Sequence, residues 1–117
     1  MTENDLLHRT KAFALRAMKL ADSLPKRASG WSIASQLCRA GTSVGANYRA
    51  ACKGRSKAEF IAKLGIVEEE ADECQFWMEM IIEGGLIKSN LVEPLLDEAR
   101  QITAIIAASK RTARNRK

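Results

Sequence analysis

Residues 56–83, SKAEFIAKLGIVEEEADECQFWMEMIIE, contain the longest helical repeat of the chain. Ser56 and Glu59 have the spacing of a capping box at the start of a helix. From Phe60 onward, an apolar or small residue returns every three or four positions, which is the repeat of one helix face. This stripe consists of Phe60, Leu64, Val67, Ala71, Cys74, Met78 and Ile81. Gly84 and Gly85 then end the predicted helix and begin a tight connection.

Two earlier segments have the same repeat. The first covers about residues 4–24 and ends before Pro25, because proline disfavours helical geometry in the residue that precedes it. Its stripe is Leu6, Thr10, Phe13, Ala17, Leu20 and Leu24. The second covers about residues 31–53. Ser29 or Gly30 is predicted to open this helix, and Gly54 is predicted to end it in a left-handed conformation. Its stripe is Ile33, Leu37, Ala40, Val44, Asn47 and Ala51.

A fourth helix is predicted to begin near Asn90, with Asn90 and Glu93 as its capping pair and Pro94 in the first turn. Its stripe is Leu91, Leu95, Ala99, Ile102 and Ile106. Amphipathic helices joined by short connections pack against their neighbours in antiparallel order. We therefore predict an all-α, up-down-up-down four-helix bundle over residues 1–109, followed by a basic tail over residues 110–117.

The composition argues against catalytic and membrane functions. One domain is expected from 117 residues. His8 is the only histidine and the three cysteines have no CxxC spacing, so we predict no enzyme, metal or cofactor. The acids of residues 68–73 lack the histidine partners of a di-iron bundle, and we interpret Glu69 and Glu73 as a solvated ridge or an intersubunit face. No apolar run approaches about 20 residues, and an odd cysteine count fits a reducing compartment, so we expect a cytoplasmic protein without a membrane partner.

The positive charge is concentrated in two stretches. The formal net charge is +5, and residues 110–117 contain five bases and no acid: Lys110, Arg111, Arg114, Arg116 and Lys117. Residues 26–57 contain seven bases and no acid, whereas residues 58–83 contain eight acids and only Lys63 as a base. Segments of opposite sign attract each other and also present charged surfaces to partners.

These stretches supply the candidate nucleic-acid contacts. They are Arg39, Arg49, Lys53, Arg55, Lys57, Lys110, Arg111 and Arg114. Together with the free N–H groups at the start of the third helix, the bases near residue 55 would bind phosphates without distinguishing base sequence. Two alternatives remain open: the bases of residues 49–57 lie opposite the acidic third helix, and the tail is a frayed, solvated helix end.

Polar and small residues on the second helix predict two further features. Arg39, Ser43 and Asn47 share one face, where Ser43 and Asn47 form a polar core that fixes the helix register or, with Arg39, contacts a ligand or a neighbouring chain. Gly41 and Gly45 lower helix propensity by about 1 kcal/mol each, a cost that close approach of another backbone offsets. We predict an oligomer interface from these glycines and from apolar residues outside the third-helix stripe. The interface candidates are Gly41, Gly45, Ile66, Trp77 and Ile82.

The middle of the chain resembles a known family. The motifs are SQLCRA at 35–40, SVGANYRAA at 43–51 and RSKAEF at 55–60, followed by Leu64. They resemble the four-helix-bundle family found in open reading frames inside intervening sequences of bacterial 23S ribosomal RNA genes, and the match covers about residues 13–106. Many members have Glu-Gly where this chain has Ala50-Ala51, which indicates a distinct subgroup.

The resemblance implies a non-enzymatic homo-oligomer, commonly a pentamer arranged as a ring around a central axis. It also implies similarity to the accessory variability proteins of diversity-generating retroelements, which are basic pentameric bundles that bind nucleic acid and a reverse transcriptase. Our leading prediction is a homo-oligomeric scaffold that binds RNA or DNA through its phosphates. The rival prediction is a scaffold that captures a protein partner through the acidic third helix and its apolar edge, and binds no nucleic acid.

Overall fold

A computed structural model describes residues 1–116, which form four long helices and contain no β-strand. The helices are α1 (Glu3–Asp22), α2 (Ala28–Cys52), α3 (Lys57–Glu83) and α4 (Glu93–Asn115). Each helix packs against the next one in the chain, and α4 also touches α1, so that a rod of 50 × 20 × 19 Å results. The predicted all-α four-helix bundle is confirmed.

Side-chain contacts establish the antiparallel order of α3 and α4. The amide nitrogen of Gln75 donates a 2.8 Å hydrogen bond to the hydroxyl of Thr103, and seven residues earlier on α3 Glu68 lies 2.6 Å from Lys110. Residue numbers therefore rise along α4 as they fall along α3, so the two helices are antiparallel. The same order relates α1 and α2, because Gly41 contacts Ala17 and Gly45 contacts Thr10.

The predicted stripes form the core, with four exceptions. All six stripe residues of α1 are buried, and those of α3 are buried except for the half-buried Phe60. Leu91 is 63% exposed because it precedes α4, and Ile33 is half-buried. Asn47 is also half-buried, since α2 turns Tyr48 into the core in its place.

Two helix starts differ from the predictions. Ser56 caps α3 as expected, with its hydroxyl accepting a hydrogen bond from the Glu59 N–H. Helix α2 begins earlier than predicted, after Arg27, and no side chain caps it. Helix α4 follows a short 3₁₀ turn over Ser89–Leu91 and is capped by the backbone of Val92, so the predicted Asn90 and Glu93 capping pair is wrong. Pro94 does lie in the first turn of α4, as predicted.

Gly84 and Gly85 end α3 as predicted, with Gly84 as the C-cap. Gly85 has a φ of 64°, and the N–H groups of Gly85 and Leu86 donate to the carbonyls of Ile82 and Ile81. This is the hydrogen-bond pattern of a Schellman motif. The left-handed conformation predicted for Gly54 is wrong, because Gly85 is the only residue among 1–116 with positive φ.

The tail is not a separate extended segment. Helix α4 continues through Asn115 with Arg116 as its C-cap, so Lys110, Arg111 and Arg114 lie on the last turns of a helix. Lys117, which the sequence assigns to the tail, lies outside the described residues. None of the helices described is long and apolar enough to cross a membrane.

Candidate nucleic-acid interface

One end of the bundle collects most of the basic residues. Antiparallel packing brings the start of α1 and the end of α2 together with the start of α3 and the end of α4. A cavity of about 390 Å³ at this end is lined by all four helices, including Glu3, Cys52, Phe60 and Ala113. We call residues 1–8, 49–60 and 110–116 the basic end, because they contain eight bases and three acids.

The rest of the described chain carries the opposite sign. It contains ten bases and eleven acids. At the far end, a cavity of about 420 Å³ between α3 and α4 is lined by Glu79, Glu83, Glu93 and Asp97, with Arg100 as its one cation. The net positive charge of the described chain is therefore concentrated at the basic end, which is the end suited to an anionic partner.

Lys57 joins the two basic stretches. Its ammonium donates hydrogen bonds to the backbone carbonyls of Arg114, at 3.4 Å, and Arg116. The last carbonyls of a helix have no intrahelical partners, and a cation there also interacts favourably with the helix dipole. Lys57 thus links the end of α4 to the start of α3, and two helix carbonyls partly compensate the charge of its ammonium group.

Five of the predicted contact residues remain available to a ligand. Their side chains are exposed and form no ion pair within residues 1–116. They are Arg49, Lys53, Arg55, Arg111 and Arg114. Arg116, another tail base, shares this exposure. These six cations surround the same end of the rod.

Arg39 lies elsewhere and is already paired. Its guanidinium contacts two carboxylates of α3, Glu70 at 3.0 Å and Glu73, and Glu73 also accepts a 2.9 Å hydrogen bond from the indole N–H of Trp77. Hydrogen bonds from Trp77 and Arg39 lower the pKa of Glu73. The phosphate contact predicted for Arg39 is opposed by this pairing, and Glu73 is not the freely solvated acid that the sequence suggested.

Lys110 is the second predicted contact that the fold uses internally. Its ammonium lies 2.6 Å from Oε1 of Glu68 on α3, and both side chains are less than one-third exposed. The pair links α3 to α4. Arg39 and Lys110 thus pair with acids of the third helix. The alternative stated for the bases of residues 49–57 is not supported, because Arg49, Lys53 and Arg55 form no ion pair within residues 1–116.

A groove between α1 and α2 extends the basic end along the side of the rod. It has a volume of about 560 Å³. The lining residues are Asn4, Leu7, His8, Lys11, Ala14, Thr42, Gly45, Ala46, Arg49, Cys52 and Lys53. Lys11 and Asn4 were not among the sequence candidates. Their signal is a second face of α1, at positions 4, 7, 11 and 14, which runs beside the core stripe.

The two glycines of α2 face α1 and do not lie on an outer surface. A Cβ atom at Gly41 would lie 2.4 Å from the Cβ of Ala17, and one at Gly45 would lie 3.2 Å from the carbonyl oxygen of Thr10. The close backbone approach that the sequence predicted is present. The oligomer interface predicted for this pair is wrong for Gly41, which is buried within one chain, while Gly45 also reaches the groove.

Ser43 and Asn47 satisfy each other on one helix. The side-chain amide of Asn47 donates to the hydroxyl of Ser43 at 2.7 Å and to its backbone carbonyl at 3.0 Å. Both residues are half-buried. The predicted role in fixing register between helices is therefore wrong, because these bonds stay within α2.

The three apolar interface candidates of α3 lie on two different faces. Ile66 is 38% exposed, whereas Trp77 is half-buried with its indole bonded to Glu73 on the α2 side. Ile82 lines the acidic cavity on the α4 side. A single interface cannot use all three, and the exposed neighbours of Trp77 on the outer surface are Phe76 and Met80.

Burial makes two of the three thiols and the one tyrosine harder to ionise. Burial raises the pKa of Cys74 to about 12 and also raises the pKa of Cys52, so both thiols stay protonated at neutral pH. Burial raises the pKa of Tyr48 as well. Within the described residues, no three His, Cys, Asp or Glu side chains converge as a metal ion would require.

Comparisons with known proteins agree on family and fold. A family model described as 23S rRNA-intervening sequence protein matches residues 2–108. A crystal structure from Bacteroides thetaiotaomicron, of a protein with unknown function from the S23 ribosomal protein family, is 30% identical to this chain with a TM-score of 0.87. That match covers 95% of this chain and 99% of the other. No curated protein matches the chain significantly.

Proposed function

Because the chain belongs to the 23S rRNA-intervening sequence protein family, we propose that it is a non-enzymatic, homo-oligomeric scaffold that binds RNA through phosphate contacts at the basic end. The motifs of residues 35–64 carry the resemblance to this family, and the match of the family model to residues 2–108 confirms that the chain is a member. The family name links these proteins to RNA genes. Binding itself is proposed here on the charges of this chain.

The observation that carries the proposal is the convergence of unpaired cations from two distant parts of the sequence. Arg55, at the turn between α2 and α3, and Arg111 and Arg114, on the last turns of α4, are exposed at the same end. A pattern of this kind suits a polyanion better than a small acidic ligand, since the cations surround the end of the rod. Few aromatic residues accompany them, which favours contacts with phosphates over stacking with bases.

Salt dependence tests the proposal. In one variant, Arg55, Arg111 and Arg114 are each changed to Gln. In the matched control, Lys19, Lys26 and Lys88 are changed to Gln, which removes equal charge from exposed positions outside the basic end. RNA affinity would be measured by fluorescence anisotropy between about 50 and 200 mM salt.

The first variant is expected to bind more weakly, with a slope of log affinity against log salt that is smaller by about 2, because each lost contact to single-stranded RNA removes about 0.7. The control is expected to retain most of the slope. Equal behaviour of the two variants would assign the binding to overall charge and contradict the basic end as the site.

Homo-oligomerisation is proposed from the apolar outer surface of α3. Phe76 and Met80, one turn apart, are 50% and 40% exposed, and Ile66 is 38% exposed further toward the start of α3; a second copy would cover these apolar side chains. The pentameric ring implied by the family resemblance is one assembly that such a surface permits. Light scattering of Phe76→Asp beside the control Leu91→Asp tests it, and a monomeric wild-type protein would contradict it.

The same surface supports a second candidate function, the capture of a different protein without RNA. Phe76 is the better residue for this test than Trp77, because Trp77 is half-buried and bonded to Glu73. Phe76→Asp would then abolish capture of the partner, and the wild-type protein would ignore RNA at low salt.

The absence of activity and the cellular compartment are also part of the proposal. The raised pKa values of Cys52 and Cys74 support a chain without a cysteine nucleophile. The cysteines Cys38, Cys52 and Cys74 are all free thiols, and these support a location in the cytoplasm. Incubation of the RNA complex followed by analysis of the RNA for cleavage tests the absence of activity.

A further inference from the structure

The groove between α1 and α2 has the chemistry of a site for a phosphate-bearing ligand with an apolar part. Its floor is made of small and apolar side chains, including Leu7, Ala14 and Ala46. Its lining contains the three cations Lys11, Arg49 and Lys53 and, among the described residues, no carboxylate. Anionic ligands are therefore favoured over cationic ones, and the floor offers burial to a flat, uncharged group.

The side chains of the three cations are not neutralised by acids of the described chain. Each is exposed, and none forms an ion pair within residues 1–116. By contrast, Arg9 on the other side of α1 lies 2.7 Å from Glu98 of α4. The three cations of the groove are therefore free to contact an anion.

The size and the rim of the groove fit one nucleotide. A volume of about 560 Å³ lies within the range of sites that hold small organic molecules, about 300–1,000 Å³. Gly45 contributes no side chain to the floor, which deepens the groove where α1 and α2 approach each other. Asn4 and His8 are exposed at the rim and present hydrogen-bonding groups to the edge of a base.

We infer that this groove takes one unstacked nucleotide of single-stranded RNA, with its flanking phosphates on Lys11, Arg49 and Lys53. The inference rests on the proposed function, since Arg49 and Lys53 also belong to the basic end and a strand bound there continues into the groove. A base that is paired and stacked in a duplex cannot enter. The groove therefore gives the protein a preference for single strands that the phosphate contacts alone do not provide.

Filling the groove tests the inference. Ala46 is exposed on its lining, so Ala46→Leu occupies the floor without disturbing the core. Ala104→Leu makes the same change at an exposed position of α4 outside the groove and serves as the control. The probe is a single-stranded RNA with one 2-aminopurine, compared with the same strand in a duplex.

The wild-type protein and Ala104→Leu are expected to prefer the single strand by about tenfold, equivalent to about 1.4 kcal/mol, and to raise 2-aminopurine fluorescence as the base leaves its stack. Ala46→Leu is expected to bind both forms equally without the fluorescence change. As a second variant, Lys11→Gln should reduce the salt slope for the single strand by about 0.7, whereas Lys19→Gln should not.

Each other outcome has a separate meaning. RNA binding that depends on salt, shows no preference for single strands and is unaffected by Ala46→Leu would contradict nucleotide binding in the groove. Phosphate binding at the basic end would still be supported. If Ala46→Leu changes the number of copies in the oligomer, the groove is a contact between copies, and the inference is overturned. An absence of RNA binding at low salt would overturn both proposals.

Discussion

Gly41 of α2 and Ala17 of α1 lie so close that a Cβ atom at position 41 would be 2.4 Å from the Cβ of Ala17. Both residues are buried. The contact sets the distance between the two helices that form the groove, and it explains why a residue with poor helix propensity lies in the middle of a 25-residue helix.

We expect Gly41→Ala to lower the free energy of unfolding by about 1–2 kcal/mol. Overpacking a core typically costs about 1–3 kcal/mol, and the gain in helix propensity offsets up to about 1 kcal/mol of it. Gly65→Ala is the control, because, apart from its chain neighbours and the adjacent backbone of α3, no atom of the described residues lies within 4 Å of its Cβ position. It should stabilise the protein by about 0.5–1 kcal/mol. Urea denaturation would measure both, and an equal gain in both variants would contradict the close packing.

Cys74 is expected to resist modification in the folded protein. Burial raises the pKa of its thiol to about 12, so this group supplies far less reactive thiolate than an exposed thiol does. Cys38 is half-buried and should react first with iodoacetamide, as followed by mass spectrometry. In urea all three cysteines should react alike. Rapid labelling of Cys74 under native conditions would show that α3 opens locally at that position.

Glu73 is expected to make stability depend on pH in the acid range. Its folded-state pKa lies below the ordinary value of 4.5 because Trp77 and Arg39 hydrogen-bond to the carboxylate. This group stabilises the fold fully above its unfolded pKa, and the stabilisation is lost as the pH falls through the lower folded pKa.

Glu73→Gln should therefore lower the free energy of unfolding at neutral pH by up to about 1 kcal/mol, the range of exposed ion pairs. The further decrease in this free energy when the pH is lowered below about 4.5 should be smaller in the variant than in the wild-type protein. Urea denaturation at both pH values measures the effect. Glu69→Gln, an exposed acid with no ion pair among the described residues, is the control. An identical acid response in the two variants would remove the role assigned to Glu73.

Hydrophobic periodicity predicted the helices well where one face is distinctly apolar. On α1, mostly polar residues surround the stripe. On α3, the stripe repeats without interruption over seven positions, although apolar residues such as Ile66 and Trp77 lie beside it. On α2, Ala, Gly, Ser and Thr occupy several faces. Adjacent rotations then bury similar areas, and the sequence could not determine that Tyr48, only 3% exposed, displaces Asn47 from the core.

The pairing of charges could not be predicted, because it depends on tertiary distances. Arg39 and Arg49 occur in the same acid-free stretch, yet the first contacts Glu70 and Glu73 while the second lines the groove. Similarly, Gly41 indicated a close backbone approach, but the sequence could not specify that the neighbour is α1 of the same chain. The start of α4 was missed because a 3₁₀ turn intervenes after Lys88.

Lys57 and Lys53 are expected to affect RNA binding for different reasons. The ammonium of Lys57 contacts the carbonyls of Arg114 and Arg116, whereas Lys53 is exposed and unpaired among the described residues. Lys57→Met should speed amide hydrogen exchange in the last turn of α4 by about two- to fivefold, since a cation at a helix C-terminus contributes about 0.3–1 kcal/mol. Lys53→Met should leave that exchange unchanged.

In RNA binding, Lys53→Met should reduce the salt slope by about 0.7, because one phosphate contact is lost. Lys57→Met should weaken affinity while largely preserving the slope, because it loosens the helix turn that positions Arg114 and leaves that arginine's charge intact. A full reduction of the slope by Lys57→Met, without faster exchange in α4, would instead make Lys57 a direct phosphate contact and would remove the capping role from the description of the basic end.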